Sequence, residues 1–105
     1  MRRVNESIRE VLGDAIAAEL KDPRIGFVTV TGVDTSPDLR TARVYVSVLG
    51  SEEDRERSLE GLRSSHGVLQ SKIASTMRLK RTPTLTFEYD ESVERGARIS
   101  RLLDE

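Results

Sequence analysis

Apolar residues recur over the first fifth of the chain at the spacing of a helix. They lie three or four residues apart and form one stripe: Val4, Ile8, Val11, Leu12, Ala15, Ile16 and Leu20. Charged residues fill the positions between them, so the pattern predicts an amphipathic helix over residues 2–20. Pro23 disfavours helical geometry at the residue before it, and we expect the helix to close at Lys21 and Asp22.

A period of two replaces the helical period between residues 25 and 49. Residues 25–34 are rich in β-branched side chains and predict a strand, and the turn-forming residues of 35–40 link it to a second strand over 41–49. In that second strand one face is apolar and the other carries Arg43, Tyr45 and Ser47. The short link predicts an antiparallel hairpin, and the alternation predicts a sheet with one covered and one open face.

Helical spacing returns after Gly50 and is interrupted once. Ser51 and the three acidic residues after it are typical of a helix N-terminus, and they open a predicted helix over about 52–64. The segment 65–67 (Ser-His-Gly) marks a joint, because glycine inside a helix costs about 1 kcal/mol relative to alanine. Beyond the joint the helical period resumes through about residue 79.

The last predicted strand opens at Pro83, a residue that suits an edge strand. Leu85, Phe87 and Tyr89 share one of its faces, and a short C-terminal helix follows with apolar members between Val93 and Leu103. The predicted order is α-β-β-α-α-β plus the short C-terminal helix. We therefore expect a single α+β domain over residues 1–105, in which a three-stranded sheet carries its helices on one face.

The composition argues against several classes of function. The 105 residues include no cysteine and one histidine, which leaves no disulfide framework and no thiolate or clustered-imidazole metal site. The seven glycines form neither a P-loop nor a GxGxxG motif, and His66 has no serine or cysteine partner at a recognisable spacing. Apolar runs are too short to span a bilayer, and the N-terminus lacks the apolar region of a signal peptide. We expect a cytoplasmic, monomeric protein that is not an enzyme and needs no cofactor, metal or small-molecule substrate.

Charge is distributed unevenly along a chain whose total is -1. Residues 51–63 hold three bases and five acids, whereas residues 64–82 hold four bases and no acids. Screening confines each charge to about 10 Å at ordinary salt, so the local pattern matters more for binding than the total. The basic stretch predicts a face that meets a polyanion.

The order of elements, with two consecutive helices meeting at a glycine joint, resembles a type II KH domain. KH domains grip four nucleotides through a GxxG loop between the paired helices, but no two glycines of this chain are three residues apart. Over almost its whole length the sequence resembles the ribosome-binding factor A family, through residues 22–50 (DPRIGFVTVTGVDTSPDLRTARVYVSVLG) and 77–90 (MRLKRTPTLTFEYD). In that family an Ala-x-Gly kink replaces GxxG. The resemblance implies a Ser-x-Gly kink here, with Ser65 in place of the alanine and Gly67 matching.

The resemblance also implies a function. Proteins of this family bind the free 30S small ribosomal subunit rather than translating ribosomes. They assist late maturation of 16S rRNA, including processing at its 5′ end, and matter most in the cold. The family is not catalytic and needs no cofactor. It often carries a longer C-terminal tail than this chain has, so roles of that tail are not carried over.

The candidate contacts to rRNA are mainly basic residues, because lysine and arginine neutralise phosphates and release counterions without choosing a sequence. They are Arg78, Arg81, Lys80, Lys72, His66, Arg2, Arg3 and Arg24. Arg78 and Arg81 match the basic pattern of the family around Met77–Leu79. The alternative reading of this cluster is an ordinary solvated helix end, since cations also suit a helix C-terminus.

Two further interpretations concern other surfaces. Arg43 and Tyr45 on the open sheet face suggest a stacking platform, although a solvated face is the simpler reading. The acid-rich second and last helices suggest an alternative function, a KH-like protein-interaction module that contacts ribosomal proteins rather than rRNA. Asp22 is expected to tie down the turn before the first strand.

Overall fold

The structure, a computed structural model, describes residues 2–18, 20–79 and 81–92. Its elements are α1 (Arg2–Ala18), β1 (Val28–Thr35), β2 (Thr41–Val48), α2 (Glu52–Ser64), α3 (His66–Thr76) and β3 (Thr84–Tyr89). This order confirms the α-β-β-α-α-β prediction and its KH-like arrangement. The predicted C-terminal helix lies outside the described residues.

The three strands form one mixed sheet in the order β1-β2-β3. β1 and β2 are an antiparallel hairpin, as predicted, and β3 runs parallel to β2 from Thr41↔Thr84 to Val46↔Tyr89. A parallel pair needs a crossover connection, and α2 with α3 supplies it. β3 is an edge strand, in keeping with Pro83 directly before it.

All three helices pack on one face of the sheet, which is where the core lies. The sheet contributes Val30, Ala42, Val44, Val46, Val48, Leu85 and Phe87 to it. The helices contribute Ile8, Leu12, Ala15, Ile16, Leu62, Leu69 and Ile73. Each fully buried leucine or isoleucine contributes roughly 1.5–3 kcal/mol relative to an exposed one, so this face holds the fold together. The alternation predicted for β2 is confirmed.

A bulge in β1 was not predicted. The register passes from Val30↔Val46 to Gly32↔Tyr45, which leaves Thr31 without a partner in the ladder. The Thr31 hydroxyl lies 3.2 Å from the backbone oxygen of Tyr45 and donates to the Asp90 carboxylate at 2.6 Å. Hydrogen bonds from two hydroxyls lower the pKa of Asp90: the one from Ser92 has the larger effect and the one from Thr31 the next.

Several predicted boundaries were wrong by one to three residues, among them the end of the first strand, at Thr35 rather than 34, and the start of the last, at Thr84 rather than 83. The first strand begins at Val28 rather than 25, because the backbone before it bonds elsewhere: Ile25 N donates to Asp22 O at 3.1 Å and Gly26 N to Ser58 Oγ at 3.1 Å. The second strand ends at Val48 rather than 49. The first helix ends at Ala18 rather than 20, and α3 ends at Thr76 rather than 79. Met77 leaves helical geometry at φ -106° and ψ 74°, which turns the chain back toward β3.

The start of α2 is capped as predicted. Asp54 N donates to Ser51 Oγ at 3.3 Å and Ser51 N donates to Asp54 Oδ2 at 2.8 Å, a reciprocal capping box. The hydrogen bond from the Ser51 backbone is the main cause of a lowered pKa at Asp54.

The hairpin gives the molecule two ends. At one, the turn end, lie the turn 36–40, the first turn of α1 and the start of β3. Asn5 Oδ1 accepts from Thr35 N at 3.1 Å, and Thr84 N donates to Arg40 O at 2.9 Å. At the other, the distal end, lie Phe27, Leu49 and the N-terminus of α2. The eight residues of β2 separate the two ends by roughly 23 Å, at about 3.3 Å per residue.

Candidate nucleic-acid interface

The turn end gathers basic side chains from two distant parts of the sequence. Arg2 and Arg3 lie exposed on the first turn of α1, and Arg78 and Arg81 lie exposed between α3 and β3. One to two turns further along α1, Ser7, Glu10 and Val11 line one side of a shallow groove, and residues 76–79 line the other. Folding therefore places the predicted contacts Arg2 and Arg3 at the same end as Arg78 and Arg81.

The path of the segment after α3 is set by Gln70. Its side-chain amide donates to the backbone oxygen of the buried Pro83, and its carbonyl accepts from Leu85 N at 3.2 Å. At the other end Met77 packs partly against the core. The segment is thus anchored on both sides, with the side chains of Arg78 and Arg81 directed to solvent. Lys80, also a predicted contact, lies outside the described residues.

The outer face of α3 carries small side chains around Lys72. Gly67, Ser71 and Ser75 line a shallow groove together with the half-buried Lys72 and the exposed Val68. A Cβ added at Gly67 would have no atom within 4 Å, and its φ is not in the left-handed region. Nothing in the described part of the chain therefore requires glycine at this position.

The helix joint lies at Ser65, between α2 and α3. Ser65 adopts φ -91° and ψ 9°, and its N–H donates to the oxygens of Gly61 at 3.0 Å and Leu62 at 3.1 Å. His66 is the half-buried first residue of α3. The roles predicted for Ser65 and Gly67 as a kink and for His66 as an RNA contact stay predictions.

Arg24 lies at the distal end, away from the other predicted contacts. Its guanidinium binds the Asp22 carboxylate with an Nη2–Oδ2 distance of 2.6 Å and reaches Glu60 Oε1 at 3.2 Å. The hydrogen bonds from the Arg24 side chain, and then from its backbone, lower the pKa of Asp22 to about 2. This geometry supports the expectation that Asp22 ties down the turn. Contact of Arg24 with rRNA stays a prediction, and its charge already has two internal partners.

The open sheet face is internally paired. Arg43 Nε lies 3.5 Å from Glu88 Oε2, and Arg43 Nη1 donates to the Tyr45 hydroxyl at 3.5 Å. Exposed ion pairs of this kind contribute little to stability, but they reduce the charge that the face offers to a polyanion. The solvated face is therefore the better description of these residues.

Two arginines of α2 contact β3, the edge strand of the sheet. Arg63 Nη2 donates to the backbone oxygen of Phe87 at 3.0 Å, and the Arg55 guanidinium lies 4.5 Å from the centre of the Tyr89 ring. Both contacts fasten α2 to β3. Arg63 therefore adds less to the basic surface than its place in the sequence suggests.

Sequence reasoning missed one basic residue at the turn end. Arg40 is exposed in the hairpin turn, where its backbone oxygen accepts from Thr84 N, and its side chain lies 3.6 Å from Asp38. Only the parallel pairing of β2 with β3 brings this turn next to the segment 78–83. No local signal in the sequence reports that pairing.

Comparison of the amino-acid sequence with models of protein families decides which family the chain belongs to. The family model described as ribosome-binding factor A matches residues 1–103 of the chain. The chain belongs to the ribosome-binding factor A family. The fold, with three helices on one face of a three-stranded mixed sheet, is the one seen in solved structures of that family.

Three of these structures illustrate the likeness. The crystal structure of ribosome-binding factor A from Thermus thermophilus is 30% identical, with a TM-score of 0.75 over 84% of this chain and 93% of the other. A candidate ribosome-binding factor A from Thermotoga maritima, solved by NMR in solution, is 36% identical, with a TM-score of 0.76 over 83% of each chain. The Thermus thermophilus factor, fitted as a homology model into the cryo-EM map of its complex with 30S, is 30% identical. Its TM-score is 0.69 over 83% of this chain and 91% of that one.

Among the described residues, none of the helices of this family member is both long and apolar enough to cross a membrane. In the same ranges, no three His, Asp or Glu side chains are grouped so that they could hold a metal ion.

Proposed function

We propose that this ribosome-binding factor acts as an assembly factor in the cytoplasm. In this proposal it binds the free 30S subunit as a monomer and assists late maturation of 16S rRNA, including processing at the 5′ end, above all in the cold. Support comes from its membership of the ribosome-binding factor A family and from its likeness to the Thermus thermophilus protein that was fitted into the map of a 30S complex.

The observation that carries the proposal is the set of arginines at the turn end. Arg2, Arg3, Arg78 and Arg81 are exposed, and none forms an ion pair with another described residue. Guanidiniums that form no ion pair can bind phosphate groups, and each phosphate that they neutralise releases condensed counterions. Arg2 also lies close enough to Glu6 to contribute to a lowered pKa of that carboxylate. Lys72 on the adjacent outer face of α3 is the next contact in this proposal, and Lys80 a further one.

The proposed contact is to the shape and phosphates of a folded rRNA rather than to bases. The GxxG loop with which KH domains grip single strands is absent, and phosphate contacts position a protein without reading sequence. The small side chains on α3 around Gly67 allow an RNA backbone to approach the helix closely. No catalytic reaction is assigned: the protein favours a maturing conformation of the subunit by binding to it.

A depletion experiment tests this proposal. Cells lacking the factor should accumulate 16S rRNA with an unprocessed 5′ end, more strongly at low temperature, as measured by primer extension. The unmodified gene should restore processing, and the Arg78→Glu/Arg81→Glu variant should not. In sucrose gradients the protein should sediment with free 30S subunits and not with 70S ribosomes. Normal 5′ ends at low temperature in its absence would contradict the proposed role.

A second candidate, a module that contacts ribosomal proteins rather than rRNA, is favoured by the distal end. The first turn of α2 carries Glu52, Glu53 and Asp54, which repel phosphate. This candidate predicts binding to isolated ribosomal proteins but not to naked 16S rRNA. Filter binding with naked 16S rRNA separates the two, because the assembly-factor proposal expects retention that depends on Arg78 and Arg81.

A further inference from the structure

The distal end exposes two large apolar side chains next to each other. Phe27 is 80% exposed and Leu49 is 76% exposed, and Leu49 N donates to Phe27 O at 3.1 Å. Single exposed apolar residues are ordinary on protein surfaces, but an aromatic and an aliphatic side chain that adjoin form a patch. We call these two residues the Phe27–Leu49 patch.

The patch is held in place by α2. Gly26 N donates to Oγ of the buried Ser58, and the backbone of α2 at Gly61 lies so close that a Cβ there would be 2.6 Å from Ile25 Cγ1. The loop before Phe27 therefore packs tightly against the helix. A groove next to the patch is lined by Pro23, Arg24, Gly26, Asp54, Arg57 and Ser58. An anchored apolar patch beside a groove is preorganised for a partner, which reduces the entropy lost on binding.

The charges around the groove favour a basic partner. Asp54 lines the groove, Asp22 and Glu60 are ion-paired with Arg24 of its lining, and Glu52 and Glu53 share the first turn of α2 with Asp54. Arg24 and Arg57 also line the groove and Lys21 directly precedes Asp22, so these eight residues comprise five acids and three bases, a net charge of -2. Arg24 is already paired with two of the acids, and Arg57 lies close enough to Asp54 to lower its pKa. Lysine or arginine beside an apolar side chain would complement this surface.

We propose that the Phe27–Leu49 patch is a docking site for a ribosomal protein segment that carries an apolar side chain beside lysine or arginine. This inference rests on the proposed function, in which the turn end contacts rRNA. The two ends are roughly 23 Å apart along β2, so one molecule can bind RNA at one end and protein at the other. RNA is disfavoured at the patch because the carboxylates repel phosphate. A second copy is disfavoured because a symmetric pair would bring two acidic surfaces together.

Site-specific photo-crosslinking on the intact particle tests the docking site. The substitutions Phe27→p-benzoylphenylalanine, Leu49→p-benzoylphenylalanine and Arg78→p-benzoylphenylalanine are each irradiated with purified free 30S subunits, and products are identified by mass spectrometry and RNase sensitivity. We expect positions 27 and 49 to crosslink to one and the same small-subunit protein, and position 78 to rRNA. Crosslinks from position 27 to rRNA or to a second copy, or no crosslink above the unirradiated background, would overturn the inference.

Binding to the crosslinked ribosomal protein, purified, gives a second measurement. Phe27→Ser/Leu49→Ser should weaken that binding at least tenfold, and Glu53→Lys should weaken it severalfold. Both exposed apolar side chains can be removed without opening the core, so far-UV circular dichroism and the melting temperature should stay as in the unmodified protein. Val68→Ser, which removes an exposed valine of α3 outside the patch, should bind normally. Equal binding by the Phe27→Ser/Leu49→Ser variant would contradict the inference.

The two proposals fail in distinguishable ways. If position 78 crosslinks to rRNA and position 27 does not reach protein, the docking site is wrong and the rRNA contact stands. If position 27 crosslinks to protein and position 78 does not crosslink to rRNA, the proposed rRNA contact is wrong. The docking site then loses the assumption on which it rests, that the turn end contacts rRNA.

Discussion

Alanine at Gly61 and alanine at Gly67 should change stability in opposite directions, although both glycines lie in the paired helices α2 and α3. At Gly61 a new Cβ would lie 2.6 Å from Cγ1 of Ile25 and 3.3 Å from its Cδ1, closer than van der Waals contact allows. At Gly67 the new Cβ would meet no atom within 4 Å. The pair therefore compares one substitution in a tight and in an open environment.

The magnitudes follow from two opposing effects. Alanine is favoured over glycine inside a helix by roughly 0.5–1 kcal/mol, which applies at both sites. Forcing an extra methyl into a packed site costs typically 1–3 kcal/mol, which applies only at Gly61, where Ile25 must move and Gly26 with it. We expect Gly61→Ala to lower the free energy of unfolding by about 1–2 kcal/mol and Gly67→Ala to raise it by up to about 1 kcal/mol.

Urea unfolding followed by far-UV circular dichroism measures both variants against the unmodified protein. The slope of the unfolding free energy with urea should stay constant, so that shifts in midpoint report stability. If Gly61→Ala is as stable as the unmodified protein, the close approach of α2 to the loop before Phe27 is refuted. Gly67→Ala carries a second expectation, weaker binding to free 30S subunits despite its greater stability, because the methyl keeps the RNA backbone away from α3. Unchanged binding would contradict this second expectation.

Two other predictions concern single contacts. Hydrogen bonds from Arg24 lower the pKa of Asp22 from 3.8 to about 2, so they stabilise the folded protein fully above about pH 4 and no longer do so once the pH falls below about 2. Asp22→Asn should remove this part of the acid dependence of the unfolding free energy between pH 2 and 5. An unchanged pH profile would count against the Asp22–Arg24 pair. Gln70→Leu leaves the backbone oxygen of Pro83 and the N–H of Leu85 without their side-chain partner. It should therefore lower the free energy of unfolding, measured by urea titration, by about 1–3 kcal/mol. A loss below about 0.5 kcal/mol would show that water replaces both hydrogen bonds.

Local periodicity explains which parts of the fold could be predicted from the sequence. The apolar stripe of α1 and the alternation in β2 each lie within one element, and both were predicted with boundaries within two residues. The bulge at Thr31 could not be predicted, because its hydroxyl is bonded to Asp90, 59 residues later. For the same reason the start of β1 was placed too early, since Gly26 bonds to Ser58 on α2 rather than to a strand.

The candidate sites also combine features that are visible in the sequence with features that depend on contacts between distant residues. The basic stretch around Arg78 and Arg81 is visible as a run without acids, but its meeting with Arg2 and Arg40 depends on how β3 pairs with β2. Phe27 stands within a run of strand-forming residues, and no sequence pattern distinguishes it from a core residue. It is exposed because it lies on the same side of the chain as the exposed Thr29, whereas Val28 and Val30 pack toward the core.

The central claim, that the turn end binds rRNA phosphates on the free 30S subunit, is tested most directly by the salt dependence of binding. Each lost phosphate contact lowers the slope of log K against log salt by roughly 0.7–0.9. Arg78→Glu/Arg81→Glu should therefore bind more weakly than the unmodified protein at about 50 mM salt and show a slope smaller by about 1.4–1.8. Lys21→Glu, an exposed change beside Asp22 at the distal end, should keep the slope of the unmodified protein, because it removes no contact of the turn end. Equal affinity and equal slope for the double variant and the unmodified protein would contradict the claim.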